Sequence, residues 1–276
     1  MANYKEIQGF NIQSKSADPV PFAQEKSDNP WAGAWASGGT LNTGRSGNAM
    51  ASHGTIPAGL TFGGQPPNRN QTEKYDGSSW TETGDLNTAR AYLMGGGTQT
   101  SAIGAGGQTT PPTTTQGIAE EFNGSAWTEV GDLNTARRQL EGAGADNTSS
   151  IAFGGETPGT AFETKAESWN GSAWTEVGDL STGRNEMASA GADNTSALSS
   201  GGGTGSASSA TEEWTADVDV GAWATGPATN TPRGHGAGSP AGTSTAALSA
   251  GGFSATAETS NTEIYNGSAW TEVNDL

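Results

Sequence analysis

The sequence predicts an all-β protein, a β-propeller of five repeats preceded by a short N-terminal arm. Three observations predict this fold. Tryptophan recurs at intervals of 45 to 49 residues, a glycine pair occurs once in each interval, and an Asn-Gly or Asp-Gly step precedes most of these tryptophans. Four short antiparallel strands in roughly 40–50 residues are typical of one propeller blade.

The same marks follow one another in every repeat. The tryptophans are Trp35, Trp80, Trp127, Trp174, Trp223 and Trp270. Each interval opens with a linker that ends in arginine, followed by small residues, the glycine pair and a variable stretch. An aromatic residue then precedes the tryptophan, at Tyr75, Phe122, Trp169, Trp214 and Tyr265. Small residues suit crowded inner strands, and aromatic residues fill the wider gaps between outer strands.

The end of each repeat is predicted to be a β-hairpin. The dipeptides Asp76-Gly77, Asn123-Gly124, Asn170-Gly171 and Asn266-Gly267 lie between strand-like runs. Both residues of such a pair tolerate the positive φ that a two-residue type I′ turn requires. The fourth repeat reads "TADVDVGAW" instead, which predicts a longer loop.

The number of blades stays open at this point. Five complete repeats run from Asn42 to Leu276, yet Ala34 to Leu41 ("AWASGGTL") reads as a sixth tryptophan strand. The favoured interpretation is a five-bladed propeller over residues 34–276, with residues 1–33 as an extended anchoring arm. The alternative is six blades, the first of them degenerate. The surplus strand is also suited to pairing with another chain or to capping the outside of the ring.

Composition narrows the classes of partner and site. The 276 residues carry a formal charge of −17 and no cysteine. The negative charge argues against nucleic acid and anionic membranes as partners. The missing cysteines exclude disulfides and thiolate metal sites. The opening "MANYKEIQGF" lacks the form of a signal peptide, and no apolar run reaches membrane-spanning length.

The repeated arginines are the candidate binding residues. They are Arg45, Arg90, Arg137, Arg184 and Arg233. The preferred interpretation is structural: each arginine ties adjacent blades through carboxylates or loop carbonyls, for which its fork of donors is suited. The functional alternative is a ring that binds an anionic group at the mouth of the central channel. The variable stretches after the glycine pairs should emerge on the same face, either as a recognition surface or as unselected loops.

Residues for catalysis or metal binding do not converge in the sequence. His53 and His235 both lie in glycine-rich segments, where a metal pair is imaginable but chance placement is preferred. Asp217 and Asp219 form a weak Asp-x-Asp pattern that favours a solvated hairpin over a calcium site. We therefore expect a protein that is not an enzyme and holds neither metal nor cofactor.

The repeat marks resemble the kelch repeat, in which a glycine pair, a spaced aromatic residue and a tryptophan follow one another. That likeness implies the fold and says little about function. The opening "MANYKEIQGFNIQ", the segment "AGAWASGGTLNTGR" and the near-identical blades together resemble virion structural proteins of marine tailed phages. In those, a short N-terminal segment precedes kelch-like repeats, with tail or capsid appendage roles.

This second resemblance implies a virion protein that is assembled in the cytoplasm of the bacterial host. Its arm would attach to other virion proteins, and its propeller would serve decoration or host attachment through a surface glycan. A homo-oligomer is compatible with that role. Two alternatives stay open: a glycan-active propeller enzyme, and a free intracellular kelch adaptor that binds a peptide.

Overall fold

The computed structural model describes residues 37–51, 53, 57–111, 113–159, 161–216, 221–239, 242–254 and 256–276. They form five small antiparallel sheets in a ring, a five-bladed β-propeller, which confirms the predicted fold class. Among these residues no helix is long and apolar enough to cross a membrane. The chain divides between Trp35 and Ala36. The predicted arm, residues 1–33, and Trp35 lie outside the described residues, so both stay predictions.

Each blade contains four strands. Blade 1 has β1 (Ala49–Ala51), β2 (Leu60–Phe62), β3 (Thr72–Tyr75) and β4 (Trp80–Glu82). Blade 2 has β5 (Met94–Thr98), β6 (Ser101–Ala105), β9 (Ala119–Phe122) and β10 (Trp127–Val130). Blade 3 has β11 (Glu141–Asp146), β12 (Ser149–Phe153), β15 (Ala166–Trp169) and β16 (Trp174–Glu176). Blade 4 has β17 (Ala188–Asp193), β18 (Ser196–Ser200), β19 (Thr211–Thr215) and β20 (Ala222–Gly226). Blade 5 has β21 (Ala237–Gly238), β22 (Ala247–Ala250), β23 (Thr262–Tyr265) and β24 (Trp270–Val273).

The first strand of each blade lies innermost, and the strands then pair in chain order. From blade 1 to blade 5 each inner strand contacts the next one, so the strands crowd around the axis. Gly142 on β11 shows how tight this packing is. A Cβ atom there would lie 2.6 Å from the carbonyl oxygen of Ile151 and 2.2 Å from the Met94 methyl group. This crowding explains the small residues that begin every repeat.

The hairpin turns form where they were predicted, but with a different geometry. In the turn after β9, Gly124 has a positive φ and Asn123 does not. The Asn123 Oδ1 atom instead accepts from the backbone amides of Ser125 and Ala126, each at 3.0 Å. The predicted positive φ at both residues of the type I′ turn is therefore wrong. Asparagine or aspartate is favoured at the first position because its side chain accepts from the loop amides, as in an Asx turn.

The variable stretches differ in structure from blade to blade. In blades 2 and 3 they form two further hairpins, β7 (Gln108–Thr109) with β8 (Thr114–Thr115) and β13 (Glu156–Thr157) with β14 (Ala161–Phe162). No pattern in the sequence predicted these short pairs. In blade 4 the connection between β19 and β20 is longer than its counterparts, as predicted. Asp217 and Asp219 lie in it, outside the described residues.

Successive blades are held together by the outer tryptophans. Trp127 of blade 2 packs against Phe62 of blade 1, with ring centroids 4.6 Å apart. Its indole N–H donates to the Thr72 hydroxyl of blade 1 at 2.9 Å. Four buried apolar clusters, each drawing on two neighbouring blades, join blade 1 to blade 2 and so on to blade 5. The aromatic residues thus compensate for the few aliphatic ones.

The junction between blades 5 and 1, here called the seam, lacks these ties within the described part of the chain. No apolar cluster joins the two blades there. The Trp80 indole, whose equivalents face the preceding blade, donates instead to the Gly39 carbonyl at 3.1 Å. Met50 is 43 % exposed, although it occupies the close-contact position that Gly142 fills in blade 3. Among the described residues, the seam therefore has fewer apolar contacts than the other junctions.

The surplus tryptophan strand is not formed in its described part, residues 37–41. Residues 37–41 adopt no strand. They lead into the linker of blade 1, where Asn42 donates to the Trp80 carbonyl at 2.9 Å, as Asn134 does to Trp174 at 3.2 Å. The predicted strand from Ala34 to Leu41 is thus wrong for residues 37–41, where the Gly39 carbonyl accepts from the Trp80 indole instead of pairing with a strand.

Candidate functional site: a polar cup on the propeller axis

The repeated arginines lie inside the blades. All five guanidinium groups are buried and paired with a buried glutamate of the blade that their linker enters: Arg45 with Glu73, Arg90 with Glu120, Arg137 with Glu167, Arg184 with Glu212 and Arg233 with Glu263. In blade 3 the N···O distance is 2.8 Å, and Arg137 also donates to the carbonyls of Gly154 and Lys165 at 3.0 and 2.6 Å.

The repeated phrase "LNTAR" is explained by this pairing. The second carboxylate oxygen of Glu167 accepts from the Asn134 backbone amide at 2.7 Å and from its side-chain amide at 2.8 Å. One buried glutamate therefore fixes both ends of the incoming linker. The arrangement corresponds to the structural interpretation of the arginines. Ligand binding by Arg45, Arg90, Arg137, Arg184 and Arg233 stays a prediction, and it would require each guanidinium to leave its carboxylate.

The glutamate partners were missed in the sequence, although a signal was present. Glu73, Glu120, Glu167, Glu212 and Glu263 each stand two positions before the aromatic residue of their repeat. A carboxylate that recurs in register with an arginine indicates an ion pair. Burial lowers the pKa of Arg137, and the charge of Glu167 opposes that shift.

Beyond each arginine the chain turns inward and forms a ring around the axis. The second residue after each arginine has φ between 52° and 60°: Gly47, Tyr92, Gln139, Glu186 and His235. Each of the last four donates its backbone N–H to the carbonyl of its predecessor, at 2.7, 2.8, 3.0 and 2.9 Å. Between Gly47 and His235, at the seam, the described backbone shows no such bond. We call these five residues the axial ring.

The axial ring separates two cavities. On the side of the variable loops lies a cup of about 670 Å³, which includes residues of all five blades. On the other side lies a channel of about 340 Å³ between the inner strands. Tyr92, Gln139, Glu186 and His235 contribute to both cavities. The volume of the cup lies within the range of roughly 300–1,000 Å³ that is usual for ligand pockets.

The wall of the cup is built by the residues that follow the arginines and the glycine pairs. These residues pair through isolated bridges, one per blade: Ser46 with Gln65, Ala91 with Gln108, Arg138 with Glu156, Asn185 with Gly203 and Gly234 with Phe253. The loops after the glycine pairs therefore emerge beside the axis, as predicted. Gln65 and Gln108 are the same residue type in blades 1 and 2, but Glu156, Gly203 and Phe253 stand at this position in the other blades, so the cup has no fivefold symmetry in its chemistry.

The polar groups of the cup bind one another. Arg138 forms an ion pair with Glu156 and donates to the Gln108 side chain at 2.5 Å. Glu186 accepts from the Gln139 amide and lies 2.7 Å from His235 Nε2. His235 is 59 % exposed, and burial raises the pKa of Glu186 while the nearby imidazole opposes that rise. The cup thus offers amides, carboxylates and an imidazole at one surface.

Apolar rings add a second kind of contact. Phe162 from β14 and Phe253 from blade 5 line the cup together with Tyr92. Phe253 is 45 % exposed, which is unusual for a phenylalanine side chain. Exposed rings next to convergent polar groups are typical of a site that binds a ligand with both polar and apolar faces.

The channel contains one unusual acid. Burial raises the pKa of Glu141 to about 8, and the nearby Glu186 adds to the rise. Its carboxylate accepts from the Ser189 hydroxyl at 3.1 Å. Burial thus favours the protonated form of Glu141 over the charged one.

The two histidines are not brought together. His235 belongs to the axial ring, whereas His53 lies past β1, where its backbone amide donates to the Gly97 carbonyl at the far end of β5. In the described ranges no group of three or more His, Asp or Glu residues is placed to hold a metal ion.

The residues of the cup could not be found from periodicity, because their identities do not repeat. The only signal was position: they directly follow the constant arginine or the constant glycine pair. Comparisons with known proteins add no identity. No protein-family model matches the sequence, and a search of curated proteins found no match.

Proposed function

We propose that this protein is a non-catalytic binding propeller, an appendage of a phage virion that binds a host-surface glycan in the axial cup. The observation that carries the proposal is the cup itself. It joins hydrogen-bonding side chains such as Gln139 and Asn185 to exposed rings such as Phe253. A sugar presents hydroxyl groups at its edge and C–H groups on its face, and these two surfaces match amide and aromatic side chains respectively.

A glycan array probed with the full chain tests the binding role, followed by calorimetry on the best ligand. Phe253→Ala is expected to weaken that ligand by roughly tenfold, because it removes the exposed ring. Met50→Ala is the matched control, since Met50 is similarly exposed at 43 % but lies at the seam. Equal affinities for the two variants would contradict binding in the cup. Release of sugar during the assay would favour the glycan-active enzyme instead.

The virion role is supported by the resemblance of the opening segment and of the blades to phage structural proteins. Attachment through residues 1–33 to other virion proteins belongs to the same proposal. Mass spectrometry of purified particles is expected to find this chain among the structural proteins. Its recovery only from the host cytoplasm would favour a free adaptor that binds a peptide.

A further inference from the structure

We infer that the glycan bound in the cup is uncharged, a hydroxyl-rich sugar rather than a uronate or a sulfated sugar. This inference rests on the proposed function and names the class of its ligand. Among the described residues, four side chains of the cup carry either a charge or an imidazole: Arg138, Glu156, Glu186 and His235. Their pairing decides which ligand charges are accepted.

The cation of the cup is already neutralised. Arg138 is 26 % exposed and forms an ion pair with Glu156. A second N–H group of its guanidinium donates to the Gln108 side chain. An acidic sugar would have to displace Glu156 or leave that carboxylate beside its own. Like charges at such short distances disfavour each other, the more so where the site is partly buried.

The remaining charge of the cup is negative. Glu186 is held by the Gln139 amide and faces His235 at 2.7 Å. Beyond the cup, the whole chain carries a formal charge of −17. A field of that sign lowers the local concentration of anionic ligands and leaves uncharged ones unaffected.

Uncharged hydroxyl groups fit the same surface well. A hydroxyl both donates and accepts, so it is able to join Glu186, His235 and the amides without a change in their charge. The exposed face of Phe253 provides the apolar contact. The cup therefore selects against charge while it retains many hydrogen-bonding groups.

The test compares neutral and acidic oligosaccharides of one length by calorimetry with the full chain. Maltohexaose, cellohexaose and mannohexaose are the neutral probes, and hexagalacturonate and hexamannuronate are the acidic ones. The best neutral probe is expected to bind at least about tenfold more tightly than either acidic probe. Tighter or equal binding of an acidic probe would overturn the inference but leave the glycan role intact. Failure of every probe would overturn both.

Variants of the paired charges make the test specific to the cup. Glu156→Gln leaves Arg138 without its carboxylate, and it is expected to raise affinity for hexagalacturonate at least about fivefold. Glu129→Gln, an equal charge change on an exposed outer strand, is the control. The double variant Arg138→Gln with Glu156→Gln should lose the gain. If Glu156→Gln folds, as shown by circular dichroism, and gains nothing, the pairing is not what excludes acids.

Discussion

Two adjacent arginines show how strongly burial changes the role of the same side chain. Arg137 is fully buried with Glu167 and holds the linker in place. Arg138, the next residue, is 26 % exposed and lies in the cup with Glu156. A buried pair contributes to stability mainly because removal of one partner leaves the other charged and desolvated. An exposed pair such as Lys165 with Glu176 contributes little.

Replacement of Arg137 by alanine is therefore expected to lower the free energy of unfolding by about 3–5 kcal/mol, because Glu167 would lose its counter-charge inside the blade. Replacement of Lys165 by alanine, which removes a pair with Glu176 that is exposed on both sides, is the control and should cost about 1 kcal/mol or less. Urea denaturation of the two variants measures the difference. A stable Arg137→Ala protein with impaired glycan binding would instead restore the arginines as ligand-binding residues.

At the level of single residues, the sequence was informative wherever an identity repeats. The arginine of each linker was singled out because it recurs, and both of its candidate roles were stated. What the sequence could not decide was exposure, since that depends on the glutamate two positions before each aromatic residue. The axial ring could not be predicted from the sequence, for a different reason. Its common property is a positive φ, which Tyr92, Gln139 and His235 do not signal.

At the level of strands and turns, the repeat period predicted which elements exist and the order in which they follow one another. Four strands per repeat, the small-residue inner strands and the hairpin before each tryptophan all occur. The turn geometry was wrong, because an asparagine before glycine serves equally well as a side-chain acceptor and as a residue of positive φ. Local sequence alone does not separate those two uses.

The outer tryptophans also show that similar strands are not equivalent. The indole N–H of Trp127 reaches Thr72, and that of Trp270 reaches Thr211 at 3.1 Å. Trp174 and Trp223 bury their indole N–H groups without a hydrogen-bond partner in the described structure. The aligned positions in their preceding blades hold Ala119 and Ala166 in place of threonine. An unpaired buried donor costs about 1–3 kcal/mol. The junctions of blade 2 with blade 3 and of blade 3 with blade 4 are therefore less stable than they would be with threonine at these positions.

For the whole molecule, the seam is the junction with the fewest ties among the described residues. Between the other blades, the second glycine of each pair donates to the next arginine carbonyl, as Gly155 does to Arg184 at 2.7 Å. Among the described residues, Gly252 makes no such bond to Arg45. Blades 1 and 5 therefore have one well-packed neighbour each, while blades 2, 3 and 4 have two.

Hydrogen exchange of the full chain should detect this difference. Amides of β1 and β21 are expected to exchange at least about tenfold faster than amides of β11, because opening at the seam breaks fewer contacts. β17 is the internal control and should match β11, since both lie between packed blades. Uniform protection of all the inner strands would show that the seam is as firmly closed as the other junctions.

The axial ring has a consequence for how such a protein diversifies. Main-chain atoms alone hold Tyr92, Gln139, Glu186 and His235 in their unusual conformation, through bonds from each amide to the preceding carbonyl. Their side chains take no part in these bonds and contact one another across the cup instead, as Glu186 does with Gln139 and His235. Substitutions at these four positions would therefore change the chemistry of the cup while the outer tryptophans and the buried ion pairs stay untouched.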